Sequence, residues 1–148
     1  QITEDYQGKN PIFLAILNGS FMFAADLLKH VNANCVISFV KLASYRGTTS
    51  TGNVLSLIGL DENLDGRDVI IVEDIIDTGR TLTEMLNLLR HNSPASLKVC
   101  SLLVKPDALE FDVNIDYIGF NIPNDFIVGY GLDYDGLGRN LPDIYQVV

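Results

Sequence analysis

The chain has 148 residues, 47% of them apolar, with 19 acidic and 10 basic side chains and a net charge of −9. That length suits one compact domain with its own core, and the composition is globular rather than disordered. No apolar run is long enough to cross a bilayer, no signal-peptide pattern is visible, and the acidic balance repels nucleic acid over most of the surface.

Up to Asn10 the chain is polar. IFLAIL at residues 12–17 reads as a buried strand from its short apolar run, and Asn18-Gly19-Ser20 as a tight turn. Phe21, Ala24, Ala25, Leu28 and Val31 mark one face of a helix that ends near His30. A second strand is expected over about residues 35–42. YRGTTSTGN, residues 45–53, is polar and rich in Gly, Ser and Thr, which predicts a loop. Residues 54–60 read as a strand and 61–68 as a turn. A strand over 69–72, a loop over 73–80 and a helix over 81–90 follow, with Met85, Leu86, Leu88 and Leu89 on the helix's apolar side. Further strands are expected at 97–104, 117–120, 126–128 and 144–148. Strands alternating with helices predict an α/β fold with a mostly parallel sheet flanked by helices. Beyond about residue 107 the helical pattern fades, which predicts a small subdomain over the end of the sheet. Cys35 and Cys100 each sit in an apolar run and read as buried thiols rather than a disulfide or metal pair. A reducing cytoplasm fits that reading.

The strongest signal is VIIVEDIIDTGRTL, beginning at Val69. A buried strand leads through Asp77, Thr78, Gly79, Arg80 and Thr81 into a helix. A helix start offers free N–H groups and the positive end of the dipole to a phosphate. Gly79 is expected to let the backbone approach a ligand. Glu73 and Asp74 are adjacent carboxylates at the carboxyl end of the strand, where open α/β sheets place ligands. Beside a phosphate cradle they suit a sugar diol or a bound magnesium ion. His30 and His91 fall at helix C-terminal ends, where the dipole favours them, and no His/Cys cluster has metal-ligand spacing.

This string resembles the binding motif of the phosphoribosyltransferases. LNGSFMFAADLL, SYRGTTSTG, SLLVK and IPNDFIVGYGLDYDGLGRNLP resemble, in that order, segments of the hypoxanthine and hypoxanthine–guanine members. The resemblance spans nearly the whole chain and implies a type I phosphoribosyltransferase fold over 1–148, with a purine-recognition hood mainly from about 107–148. It implies transfer of 5-phosphoribosyl from phosphoribosyl pyrophosphate to hypoxanthine, and to guanine, with Mg2+ as cofactor. On that resemblance Glu73 and Asp74 hold the ribose hydroxyls and sit near metal, while Asp77, Thr78, Gly79, Arg80 and Thr81 hold the 5′-phosphate. Asp77 is the general base at purine N7. Lys105 donates to the oxygen at purine C6, Phe126 stacks on the ring, Ile127 offers backbone groups, and Asp133 binds a second magnesium ion. Asn18 and Gly19, through a strained or cis peptide, bind pyrophosphate with Ser44, Tyr45 and Arg139, and residues 44–53 form a lid with Arg46 as an extra cation.

Many members carry Lys where this chain has Asn18, which removes one cationic pyrophosphate contact. Members also begin with a longer helical segment, so a trimmed N-terminus is expected. The family forms dimers and tetramers, hence a homodimer or homotetramer is expected. Alternatives are a phosphoribosyltransferase for xanthine or another base, a regulatory protein that senses phosphoribosyl pyrophosphate and binds RNA or DNA, and a binding module without catalysis. Asp77, Lys105 and Asp133 together, with the acidic charge, favour the enzyme.

Overall fold

The computed structural model of the chain describes residues 1–46 and 53–148. Its elements are α1 (Ile2–Asp5), β1 (Ile12–Leu17), α2 (Phe21–Lys29), β2 (Val36–Arg46), β3 (Asn53–Ile58), β4 (Asp68–Ile76), α3 (Arg80–Arg90), β5 (Ser96–Val104), β6 (Tyr117–Asn121), β7 (Ile127–Val128) and β8 (Tyr145–Gln146). Six strands form one sheet in the order β3-β2-β1-β4-β5-β6. Every neighbouring pair is parallel except β2 with β3, which matches the expected mostly parallel sheet. β7 and β8 pair antiparallel in a ribbon of their own.

The central strands are apolar on both faces because helices cover both. Ile12, Leu14 and Ile16 of β1 and Val69 and Ile71 of β4 pack with Leu82, Met85, Leu86 and Leu89 of α3. The alternate residues Phe13, Ala15, Ile70 and Val72 pack with Ala24 of α2 and with Cys100 and Tyr117. This is the period of two that a strand imposes on its side chains. Each fully buried Ile, Leu or Met contributes about 1.5–3 kcal/mol.

Several boundaries differ from the sequence reading. The polar start contains α1, and Ile2 and Tyr6 are buried beneath it. α2 buries Ala24 and packs Phe23, Leu27 and Leu28 inward, whereas Phe21 and Ala25 are exposed. α3 buries Leu82 in place of Leu88, which is only half-buried. β2 runs to Arg46 and β3 begins at Asn53, so both ends of the expected loop are strand. The remainder of that segment and its lid role lie outside the described residues. β4 continues to Ile76, which puts Glu73 and Asp74 inside the strand rather than in a loop. Cys35 is half-buried rather than buried, while Cys100 is buried as expected. His30 and His91 are the C-caps of α2 and α3. Among the described residues no helix is long and apolar enough to cross a membrane.

The strand order locates the site. From β1 the chain crosses to β2 on one side, and β4 lies on β1's other side. The carboxyl ends of β1 and β4 therefore flank a topological switch point, where open α/β sheets hold ligands.

Candidate functional site

β1 ends in a turn whose Leu17–Asn18 peptide is cis, as the resemblance implied. Asn18 is exposed, while Gly19 and Ser20 are buried. The Ser20 hydroxyl donates to the Ile16 carbonyl at 2.6 Å and closes the turn. Gly19 is pressed against the end of β4. A Cβ there would stand 1.7 Å from Asp74 Oδ2. β2 extends beyond the level of Leu17, whose partner is Lys41, so Ser44 lies past the carboxyl end of β1 with its side chain exposed. The backbones of Tyr45 and Arg46 continue that strand.

Across the switch point, Glu73 is 8% exposed and opposes Ser101 of β5. Burial, and then the neighbouring Asp74 charge, raises its carboxyl well above the ordinary range. Burial also raises Asp74, with the Ile75 N–H drawing it part of the way back. That N–H donates to Asp74 Oδ1 at 2.8 Å. Among the described residues neither carboxylate forms a salt bridge.

α3 starts at a left-handed N-cap, Gly79, φ +83°, which has no side chain to cap the helix. Apart from the weak Thr78 contact to Arg80 N–H, its first donors are available to an anion. The Thr78 hydroxyl accepts weakly from Arg80 N–H at 3.3 Å, and the Thr78 carbonyl accepts from Glu110 N–H at 2.9 Å. The positive φ of Gly79 favours glycine, and a Cβ there would meet the Val113 side chain at 3.3 Å, with Leu109 and Phe111 at ordinary contact distance. The Arg80 guanidinium lies over the Phe111 ring at 5.5 Å. A cavity of about 90 Å³ at this helix start is lined by Glu73, Ile75, Ile76, Asp77, Thr78, Gly79, Thr81 and Leu82.

A cleft of about 220 Å³ adjoins it, lined by Asp74, Ile75, Asp77, Lys105, Phe126, Ile127, Leu132 and Asp133. Ile75 and Asp77 belong to both. Lys105 follows β5 and its N–H donates to the Ile76 carbonyl at 3.0 Å. Its side chain is 8% exposed and its ammonium meets Asp77 Oδ2 at 3.1 Å. It is not a surface lysine. Phe126 is 54% exposed, with its ring edge-on to Tyr134 at 5.6 Å, so core packing does not account for it. Ile127 is held in β7 against Gln146 of β8.

The loop after β7 closes the site from above. Arg139 Nη2 pairs with Asp133 Oδ1 at 3.0 Å, and Nη1 donates to the Gly131 carbonyl at 2.7 Å. Asp133 Oδ2 accepts from Gly136 N–H at 2.9 Å. Gly131 sits on the β1 turn so closely that a Cβ would stand 2.1 Å from the Gly19 carbonyl. Asp133 and Arg139 thereby come within electrostatic reach of Asp74. Among the described residues no group of three or more His, Cys, Asp or Glu side chains is arranged to hold a metal. A pair of carboxylates without a third protein ligand does suit magnesium, which keeps several waters and takes substrate phosphate oxygens.

Composition gave no hint of three contributors: Ile75, which divides the two cavities, Leu132, buried under the loop, and Tyr130, held at φ +50° between two glycines. The Gly-Tyr-Gly spacing is the one signal that could have marked a tightly folded loop there. A larger cavity of about 340 Å³ lies elsewhere, between α1, α2 and β6, but its lining of Phe23, Leu27, Val31 and Cys100 offers no anion cradle.

A phosphoribosyl transferase domain model matches residues 1–135. The hypoxanthine-guanine phosphoribosyltransferases of Streptococcus agalactiae serotype V and Streptococcus thermophilus are 48% and 45% identical over 143 residues, covering 96% of this chain and 79% of each relative. A crystal structure of a Bacillus anthracis hypoxanthine-guanine phosphoribosyltransferase aligns at TM-score 0.90 with 43% identity, over 100% of this chain and 88% of that one. A Staphylococcus aureus hypoxanthine phosphoribosyltransferase aligns at 0.91 with 43% identity, over 100% and 81%. Fold, motifs and similarity over nearly the full chain converge, and this chain belongs to the hypoxanthine–guanine phosphoribosyltransferase family, with its type I fold.

Proposed function

We propose that this cleft transfers the 5-phosphoribosyl group of phosphoribosyl pyrophosphate to a 6-oxopurine, hypoxanthine or guanine, giving IMP or GMP and pyrophosphate in purine salvage. The observation that carries the reading is the Lys105–Asp77 pair, a buried donor and a half-exposed acceptor 3.1 Å apart beside an exposed Phe126. A 6-oxopurine presents a carbonyl oxygen and an N7–H on one edge. Lys105, a donor only, takes the oxygen, and Asp77 takes the N7 proton. Phe126 stacks on the ring, and the Ile127 backbone reads its far edge. An amino group at C6 would face the ammonium, donor against donor.

The 5′-phosphate rests on the N–H groups and hydroxyls of Asp77, Thr78, Gly79, Arg80 and Thr81. Glu73 and Asp74 accept from the ribose hydroxyls. Asn18, Gly19, Ser44, Tyr45 and Arg139 hold pyrophosphate. As purine N9 forms its bond to ribose C1, the C1–O bond breaks and its electron pair leaves on pyrophosphate, while the N7 proton passes to Asp77. Charge builds on the leaving oxygens and positive character at C1, so the chain's contribution is positioning and charge stabilisation. Mg2+ is the cofactor in this reading, held near Asp74, Glu73 and Asp133. When bound, it offsets the charge of pyrophosphate.

The hood comprises about residues 107–148 of a single domain, and the setting is cytoplasmic. A homodimer or homotetramer is supported by Ile37, Phe39 and Ile58, which share one face of β2 and β3 and are exposed. The test is a panel of hypoxanthine, guanine, xanthine and adenine with phosphoribosyl pyrophosphate and magnesium. Turnover of hypoxanthine and guanine with none of adenine is expected. Adenine used as well as hypoxanthine would remove the role given to Lys105.

A further inference from the structure

The pyrophosphate half of the site is built from two pieces far apart in the chain, the turn after β1 and the loop that carries Asp133 and Arg139. That loop has little regular structure to hold it. Its internal bridges, Gly129 with Leu132 and Tyr134 with Leu137, fold it on itself without tying it to the sheet. The Arg139 contacts, to Asp133 and to the Gly131 carbonyl, are likewise internal to it. A polar side-chain tie does reach the sheet layer. The Tyr130 hydroxyl donates to the Asp26 carboxylate of α2, 104 residues away in sequence. Asp26 is braced in turn by Lys29 at 2.9 Å. Because α2 begins directly after Ser20, it is the rigid continuation of the β1 turn. A strut from α2 to Tyr130 therefore fixes the spacing between the two pieces.

We infer that Tyr130 and Asp26 form a latch that positions Asp133 and Arg139 over the Asn18–Gly19 turn, making them positioning residues for pyrophosphate. The inference rests on the assignment of pyrophosphate to that turn. The backbone around Tyr130 serves the same end. It lies at φ +50° between Gly129 and Gly131, both at positive φ, which aims the ring at α2 while Gly131 rests on Gly19. A loop without the hydroxyl keeps Leu132 buried and keeps its internal bonds. It loses the contact that sets its height above the turn. On the purine side Lys105, Asp77 and Phe126 lie outside the loop and form no hydrogen bond with the latch, although Leu132 and Asp133 of the loop also line that cleft.

The test is calorimetric titration of magnesium pyrophosphate into wild type, Tyr130→Phe, Asp26→Ala, Asp26→Asn and the Tyr130→Phe/Asp26→Ala double variant, with steady-state kinetics alongside. Tyr130→Phe and Asp26→Ala should each weaken pyrophosphate about three- to tenfold, the loss of one charge-assisted hydrogen bond at a partly exposed site. The KM for phosphoribosyl pyrophosphate should rise in step while the KM for hypoxanthine changes less, staying within about twofold, since Lys105, Asp77 and Phe126 form no hydrogen bond with Tyr130 or Asp26. Asp26→Asn retains an acceptor and should recover most of the affinity. The double variant should be no weaker than either single one, as expected of two halves of one contact. Identical titrations for wild type and Tyr130→Phe would overturn the latch. So would a hypoxanthine KM that rises as much as that for phosphoribosyl pyrophosphate, because the tyrosine would then be a general structural strut. Wild type that binds pyrophosphate more tightly than Tyr130→Phe but transfers to no purine would uphold the latch and refute the transfer reading instead.

Discussion

Replacing Lys105 with alanine tests the purine assignment most directly. The lysine is 7% exposed, and its ammonium is held by the Asp77 carboxylate at 3.1 Å, so it already stands in the cleft before any purine enters. Two effects compete on removal. The folded state loses an ion pair whose acidic member is half exposed, which water screens and which contributes about 0.5–1 kcal/mol at most. The bound state loses a charge-assisted hydrogen bond to the purine oxygen, worth about 1.5–3 kcal/mol. The second effect is larger and is felt only with purine present. KM for hypoxanthine should therefore rise roughly 10- to 150-fold, at 1.4 kcal/mol per decade, with little change in unfolding midpoint. In the proposed assignment phosphoribosyl pyrophosphate binds against the other cavity, so it should keep its KM. The ratio of hypoxanthine to adenine turnover should also fall, because the donor that rejects a 6-amino group is gone. Steady-state kinetics with each substrate varied in turn, and a thermal melt, make the assay. An unchanged KM for hypoxanthine, or an equal rise for both substrates, would refute the reasoning.

Asp77→Asn should keep the fold and phosphoribosyl pyrophosphate affinity yet lower kcat by roughly 10²–10⁴, the usual cost of losing a general base; single-turnover measurements would show whether chemistry has slowed. Gly19→Ala puts a Cβ 1.7 Å from Asp74 Oδ2. The carboxylate must move, so stability should fall by about 1–3 kcal/mol and affinity for phosphoribosyl pyrophosphate should fall with it; a denaturant melt that matches wild type would contradict the packing. Burial raises Glu73 above the 4.5 of a free glutamate. The native state then holds this proton more tightly than the unfolded chain, so the stabilisation is present below that value and is lost as pH climbs through the raised one. Glu73→Gln should flatten this decline and be relatively more stable than wild type at alkaline pH, which urea titrations from pH 4 to 9 can measure.

The candidate residues that the fold gathers around two adjoining cavities were easier to read in the sequence than the element boundaries, and for a physical reason. β1 is six residues that are all apolar, and its limits agree with the structure. β4 carries its functional carboxylates within the strand itself, so the apolar pattern stops at Val72 while the strand continues to Ile76. Glu73 and Asp74 break the local apolar patterning, as residues of the proposed site are expected to do. α1 escaped notice because Ile2 and Tyr6 are isolated apolar residues in a polar stretch and set no period. α2 has apolar residues around most of its circumference, so several faces fit, and the packing against Phe13 and Ile70 selects Ala24 rather than Ala25. The Tyr130–Asp26 bond joins positions 104 residues apart, and no periodicity within one chain encodes such a pairing.

The acidity of the chain fits this mode of binding. A net charge of −9 would oppose a polyanionic donor if affinity depended on a basic surface. The site is instead assembled where the sheet turns its backbone outward. The start of α3, where Gly79 has no capping side chain, and the turn after β1 present N–H groups whose dipoles are fixed by the fold. Two side-chain cations at the cleft are already paired, Arg139 with Asp133 and Lys105 with Asp77. Each of these cations is thereby oriented before substrate arrives, and its carboxylate partner is a group that the proposed reaction uses. In the proposed mechanism purine exchanges the Lys105–Asp77 ion pair for two contacts on its own edge, and a base without a 6-oxo group cannot offer that exchange. Specificity then comes from an internal pair that only the right substrate can replace. In the same proposal the backbone holds the phosphates whichever base is present, so the phosphate loop leaves the choice of base to the Lys105–Asp77 pair.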